Sequence, residues 1–137
     1  MFSGCTKSSD DALSGMNTWD TQNVGQMENM FQNCSDPSFV NPGISKWKTT
    51  NITSSEGIQR MFSGAIYFND DISTKVVDGS YVAWNTKNIK SMKETFYNAS
   101  SFNADISGWN IDNVSDLSGT FDGASSFSRN INTKVVS

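Results

Sequence analysis

The sequence predicts one α/β solenoid domain over residues 1–137, with about four to five coils, each contributing one short parallel strand and one short helix. Three observations predict it. Trp recurs at Trp19, Trp47, Trp84 and Trp109 with the same companions at fixed offsets. The apolar residues after each Trp keep helical spacing. Leu occurs only at Leu13 and Leu117, against nine Phe and four Trp, which argues against a Leu-rich bundle or coiled coil.

The register is set by Trp. Four residues after each stands Asn (Asn23, Asn51, Asn88, Asn113), and five after each a β-branched residue (Val24, Ile52, Ile89, Val114). A Phe follows at 12, 15, 12 and 12 residues: Phe31, Phe62, Phe96 and Phe121. Each has an apolar residue four positions before it (Met27, Ile58, Met92, Leu117) and a small residue three after it (Cys34, Ala65, Ala99, Ala124). Phe39, Phe68, Phe102 and Phe127 come next, then Ile44, Ile72, Ile106 and Ile131. The opening Met-Phe-Ser-Gly-Cys matches Met61-Phe62-Ser63-Gly64-Ala65, so by sequence both ends cut within repeats.

The second half of each unit reads as a helix. Val114, Leu117, Phe121 and Ala124 lie at i, i+3, i+7 and i+10, one face of a helix, and the earlier units repeat the pattern. The preceding Asn, Asp and Thr residues suit N-caps. Such short, Ser- and Gly-bearing helices need a neighbour to cover their apolar face. The first half, typified by Ile106-Ser-Gly-Trp-Asn-Ile111, reads as the strand. An insertion over residues 73–84 places Asp78-Gly79 between two β-rich runs; Asp-Gly supplies the positive φ angles of a type I′ turn, so a β-hairpin is expected there. The last residues, 131–137, copy its first arm.

Composition narrows function. Apolar residues make 36% and charged residues 18% of the chain, with 22 Ser, 11 Thr and 15 Asn filling the difference. Net charge is −4 and no Lys/Arg run exists, so nucleic acid and anionic membrane are poor partners. The absence of His removes the commonest general base and metal ligand. No apolar run is long enough to span a bilayer, so no membrane insertion is expected. The N-terminus has neither the charged region nor the apolar core of a signal peptide. No Gly-x-Ser-x-Gly elbow occurs. No cofactor, metal or catalytic residue is implied, and the protein reads as a non-enzyme.

Residues 102–121, Phe-Asn-Ala-Asp-Ile-Ser-Gly-Trp-Asn-Ile-Asp-Asn-Val-Ser-Asp-Leu-Ser-Gly-Thr-Phe, resemble a bacterial surface-protein repeat of about 25 residues. That repeat is abundant in mollicute lipoproteins and BspA-like proteins and is grouped with leucine-rich repeats. Phe68-Asn-Asp-Asp-Ile-Ser73 and Met27-Glu-Asn-Met-Phe31 match its core. The resemblance implies a leucine-rich-repeat-like solenoid with Phe and Trp in place of Leu, cell-surface display, and macromolecular binding or adhesion. It supplies no catalytic residues.

The Trp positions read as a packed core ladder rather than a row of sugar-stacking rings. The Asn positions read as an amide ladder that satisfies turn backbones. Asn69, Asp70, Asp71, Asn103 and Asp105 carry the oxygen ligands that Ca²⁺ prefers, but a turn or cap role is favoured. Cys5 and Cys34 share one repeat position, and the Ala at matching sites favours buried, reduced thiols over a disulfide. Tyr67, Tyr81 and Tyr97 lie off the repeating apolar positions and are the candidate binding residues. The expected function is a non-enzymatic module that binds protein or glycan at a cell surface. The alternatives are an assembly unit that forms a homo-oligomer through its terminal coils and, less favoured, a hydrolase.

Overall fold

The computed structural model describes residues 15–129. The sequence repeats at residues 1–5 and 131–137 lie outside them. The α/β solenoid reading is overturned. Regular structure among the described residues comprises a 3-10 turn, Met16–Thr18, and two three-residue strands, β1 (Lys75–Val77) and β2 (Tyr81–Ala83), paired antiparallel. Among the described residues no repeat carries an α-helix or a parallel strand, so the leucine-rich-repeat-like description fails with it. An isolated bridge between Ser91 and Asp116 is the sole parallel pairing recorded among the described residues.

The expected strands are tight turns. The Trp109 N–H returns to the Ile106 carbonyl at 3.0 Å, and Trp47 N–H to Ile44 at 3.1 Å. A second turn follows in each unit, closed by Val24 on Thr21, Ile52 on Thr49, Ile89 on Thr86 and Val114 on Ile111.

The expected helices fail for a local reason. The backbone is left-handed two residues before and two residues after each central Phe. Those residues are Asn29 and Asn33, Arg60 and Gly64, Glu94 and Asn98, and Gly119 and Gly123. A left-handed residue every fourth position cannot continue a right-handed helix. The segments instead alternate two kinds of bond. Every other N–H closes a turn on the carbonyl three residues back, as in Met61 on Ile58, Ser63 on Arg60 and Ala65 on Phe62. The intervening N–H groups reach the next unit: Ile58, Arg60, Phe62 and Gly64 donate to the carbonyls of Ser91, Lys93, Thr95 and Tyr97 at 2.7–3.2 Å. Met27, Asn29, Phe31 and Asn33 donate likewise to Gly57, Gln59, Met61 and Ser63, and Met92, Glu94, Phe96 and Asn98 to Asp116, Ser118, Thr120 and Asp122. Backbone groups that a helix would satisfy internally are thus satisfied between units.

This register stacks like on like. Phe31, Phe62, Phe96 and Phe121 form one column with ring centroids 5.8, 5.6 and 5.6 Å apart. Phe39, Phe68, Phe102 and Phe127 form a second, and the two columns touch at 4.0 Å between Phe62 and Phe68 and between Phe96 and Phe102. Each such ring pair stabilises by about 0.5–1.5 kcal/mol beyond its buried area. Met27, Ile58, Met92, Cys34, Ala65 and Ala99 point into the same core.

The left-handed column after the Phe has its own order. Asn33 sits on Gly64, and Asn98 on Gly123; the amide oxygen of each Asn occupies the space a Cβ on the facing Gly would need.

Cys34 is buried and disulfide-bonded, which corrects the expectation of a reduced thiol. The matching Ala residues reported only that the position is small and buried; they carried no information about sulfur chemistry. The chain's other cysteine, Cys5, lies outside the described residues.

A polar cleft beside the hairpin

The hairpin builds the candidate site. Val77 and Tyr81 end its paired register, and Asp78 and Gly79 between them have φ of 52° and 67°. Both angles are positive, and Ser80 N–H closes on the Val77 carbonyl at 2.9 Å, which is a type I′ turn. Lys75 pairs with Asp71 at 3.1 Å on one arm, and Thr74 Oγ1 donates to the Trp84 carbonyl at 2.6 Å on the other.

The turn throws Tyr81 across to the preceding unit. Its hydroxyl donates to the Lys46 carbonyl at 2.7 Å, and the Lys48 ammonium lies 4.8 Å from its ring centroid. A cation so placed is attracted by the ring's negative face, by about 0.5–1 kcal/mol where water has access. Lys48 Nζ also donates to Gln22 Oε1 at 3.2 Å. Around this pair lies a cavity of about 360 Å³ walled by Gln22, Lys48, Thr50, Asn51, Ser80 and Asn85. A second, of about 230 Å³, shares Lys48 and Tyr81 and adds Trp19, Asp20 and Lys46. Trp19 is 38% exposed and stacks on Trp47 at 5.9 Å. The cleft therefore offers two aromatic faces, two cations and several amides and hydroxyls.

The three Tyr singled out by sequence part company. Tyr81 is in the cleft. Tyr67 and Tyr97 are exposed, and no ring contact among the described residues joins the three. Lys48, Gln22 and Asn51 are the cleft residues that sequence reasoning passed over as binding groups. The available signal was the Lys46-Trp47-Lys48 triplet, which flanks a core Trp with two cations in the unit just before the hairpin.

The Trp, Asn and Thr repeat positions bond from unit to unit. The indole N–H groups of Trp47, Trp84 and Trp109 each donate at 2.8 Å to a carbonyl one unit earlier: Met16, Ile44 and Ile72. The amides of Asn51, Asn88 and Asn113 donate at 2.6–2.7 Å to the carbonyls of Gln22, Thr50 and Lys87. Asn23, in the first described unit, is exposed. Between these columns, Thr21, Thr49 and Thr86 donate through Oγ1 to the carbonyls of Lys48, Asn85 and Asn110.

The acidic residues are spent on turns. Asp70 accepts from the Gly43 and Ile44 N–H groups, each at 2.9 Å, through Oδ2, and from Asp71 N–H through Oδ1. Asp71 and Asp116 each accept the backbone N–H and hydroxyl of a Ser two residues on, and Asp105 accepts the Ser107 N–H. Partial burial pushes the Asp71 carboxyl upward, but Ser73 and Lys75 outweigh it and hold the group below the ordinary range. Asp105 is lowered by the Ser107 backbone N–H, and Asp116 by the Ser118 hydroxyl. Among the described residues no group of three or more Cys, Asp or Glu could hold a metal. No helix there is long and apolar enough to cross a membrane.

No curated protein and no solved structure matches the chain. Its residues 1–135 match the family described as Mycoplasma protein of unknown function, DUF285, and the chain belongs to that family.

Proposed function

We propose that the protein is a non-enzymatic binding module that holds a glycan or a polypeptide segment in the cleft beside the hairpin. The observation that carries this reading is the Tyr81–Lys48 pair within a cavity of about 360 Å³ whose other walls are amides and hydroxyls. Concave sites with an aromatic floor and a few convergent polar groups are the usual form of a ligand site. The groups are those of recognition: hydroxyl-bearing ligands would meet Asn51, Gln22, Thr50 and Ser80, while an apolar face would meet Tyr81 or Trp19. The resemblance to surface-protein repeats of the BspA-like kind supports macromolecular binding outside the cell. So does the disulfide at Cys34, since such bonds persist in oxidising compartments.

The test is a glycan and extracellular-protein array probed with the wild-type chain, Lys48→Ala and Tyr81→Phe/Lys48→Ala. Retention of a defined ligand by the wild type, weakened at least tenfold in both variants, supports the reading. Retention indifferent to both, or none across the arrays, overturns it.

A further inference from the structure

The cleft beside the hairpin continues along the stack. A further cavity of about 410 Å³ is walled by Thr53, Asn88, Lys90, Asn113 and Ser115. It adjoins the first at Thr50, whose carbonyl accepts the Asn88 amide at 2.7 Å. Both lie on the strip of chain around and after each Trp. In the two central units that strip is residues 46–53 and 84–90, which hold Lys46, Lys48, Lys87 and Lys90 and no Asp or Glu. The two segments stack directly: the Trp84 N–H donates to the Trp47 carbonyl at 3.0 Å, and Thr49 Oγ1 to the Asn85 carbonyl at 2.8 Å. Stacking thus gathers cations that the sequence keeps in separate segments, in a chain of net charge −4. None of the four forms an ion pair among the described residues, and no carboxylate lines either cavity. The amides of this strip are half used. Asn51, Asn88 and Asn113 each donate one Nδ2–H to a carbonyl of the preceding unit, and among the described residues the other N–H and Oδ1 of each meet no protein partner.

We infer that the ligand of the cleft is a linear acidic polysaccharide, laid across both cavities from Tyr81 to Asn113, with Lys48 and Lys90 taking its carboxylates or sulfates. This rests on the cleft reading above and names the class of ligand. Charge complementarity calls for an anion. Amides that offer a donor and an acceptor side by side call for hydroxyls, which both donate and accept. The anionic groups of an acidic polypeptide or a nucleic acid only accept, and would leave each Oδ1 unmet. No aromatic residue lines the second cavity, so bases have no ring to stack on there. Each cavity is large enough to take a small ligand by itself; a ligand that reaches Lys48 and Lys90 together is a chain of sugars.

Biolayer interferometry of the full chain against hyaluronan, chondroitin sulfate, dextran, poly-glutamate and duplex DNA, at about 0.15 M salt, tests this. The wild type should hold one or both acidic polysaccharides about tenfold more tightly than the other three probes. A preference for chondroitin sulfate marks sulfate as the recognised anion, and equal or tighter binding of hyaluronan marks the carboxylate. Lys87→Gln/Lys90→Gln, which alters two exposed residues, should weaken that binding about fivefold, the loss of two exposed ion pairs, at the wild-type urea midpoint. If the double variant loses its fold, Lys90→Gln alone carries the test. The control Lys75→Gln/Lys93→Gln makes the same charge change outside both cavities and should bind like the wild type. Equal binding of DNA or poly-glutamate, or an equal loss in the control, would mean charge attraction alone and overturn the inference. A neutral ligand that depends on Lys48 and Tyr81, or an acidic glycan indifferent to Lys87 and Lys90, would overturn it and leave the cleft reading standing.

Discussion

Gly57 should be far less replaceable than Gly79, although both have positive φ. Gly57 has φ 56° and Gly79 φ 67°, so Ala at either site adopts a left-handed backbone at about 1–2 kcal/mol. The surroundings differ. A Cβ on Gly79 meets nothing within 4 Å, whereas one on Gly57 would lie 2.7 Å from the Ser91 carbonyl oxygen, 3.1 Å from its nitrogen and 3.2 Å from Ile89 Cγ2. The two closest atoms are backbone and cannot rotate away. The Ser91 carbonyl also accepts the Ile58 N–H at 3.2 Å, already a long bond. Moving it to an ordinary contact distance breaks that bond between buried groups, at about 1–3 kcal/mol. Gly57→Ala should therefore destabilise by roughly 3 kcal/mol and Gly79→Ala by roughly 1 kcal/mol. Urea unfolding followed by Trp fluorescence measures both, and an unchanged slope shows that the midpoint shift reports stability. Midpoints for the two variants that coincide would refute the claim that units are locked together by backbone contact at this junction.

Other outcomes follow from the ladders and turns. Trp84→Phe removes the donor to the buried Ile44 carbonyl and should cost about 1–3 kcal/mol in the same unfolding assay; no loss would mean the indole N–H is dispensable. Asn88→Asp turns a donor to the Thr50 carbonyl into an acceptor, so it should lower the midpoint more than Asn88→Ala does at pH 7. Acid should weaken the fold through Asp71, Asp105 and Asp116, whose carboxyls sit below their ordinary range. A lowered folded value contributes stability above the unfolded value near pH 4, and that contribution is lost as pH falls through the folded values. The urea midpoint should hold from about pH 7 to 5 and drop below about pH 4, less steeply in Asp116→Asn; a midpoint that rises there would contradict the Ser-bonded geometry. Thiol titration of the denatured chain should find no free Cys34, and a full equivalent without reductant would remove the disulfide.

The inward face was legible in sequence and the backbone was not. Met27, Phe31 and Cys34, or Met92, Phe96 and Ala99, are buried together, as their spacing demanded. Yet spacings of three and four are shared by a helix and by a run of three-residue turns with left-handed joints. What separates them is the residue type at the joints. Asn29, Asn33, Gly64, Asn98, Gly119 and Gly123 are the residues that tolerate φ > 0. They stand at fixed offsets from Phe, and apolar counting passes over them. Arg60 and Glu94 obscure the signal further. Each takes the left-handed form at about 1–2 kcal/mol, and they face each other in an ion pair at 2.7 Å, with side chains 33% and 31% exposed, too weak to repay that alone. The hairpin was readable because Asp78-Gly79 announces itself through two adjacent residues. The cleft was not, because Lys48 and Tyr81 are brought together only by the crossing of that hairpin over the preceding unit.

The Asn-on-Gly order fixes a grammar for recombining units. An Asn two residues after the central Phe obliges the following unit to carry Gly at the same place, whereas a Gly there leaves its successor unconstrained. Tandem duplication of the segment bearing Asn33 would set one amide against the side chain of its own copy. Duplication of the segment bearing Gly64 would not. Arrays lengthened in the laboratory should therefore tolerate the second operation and reject the first.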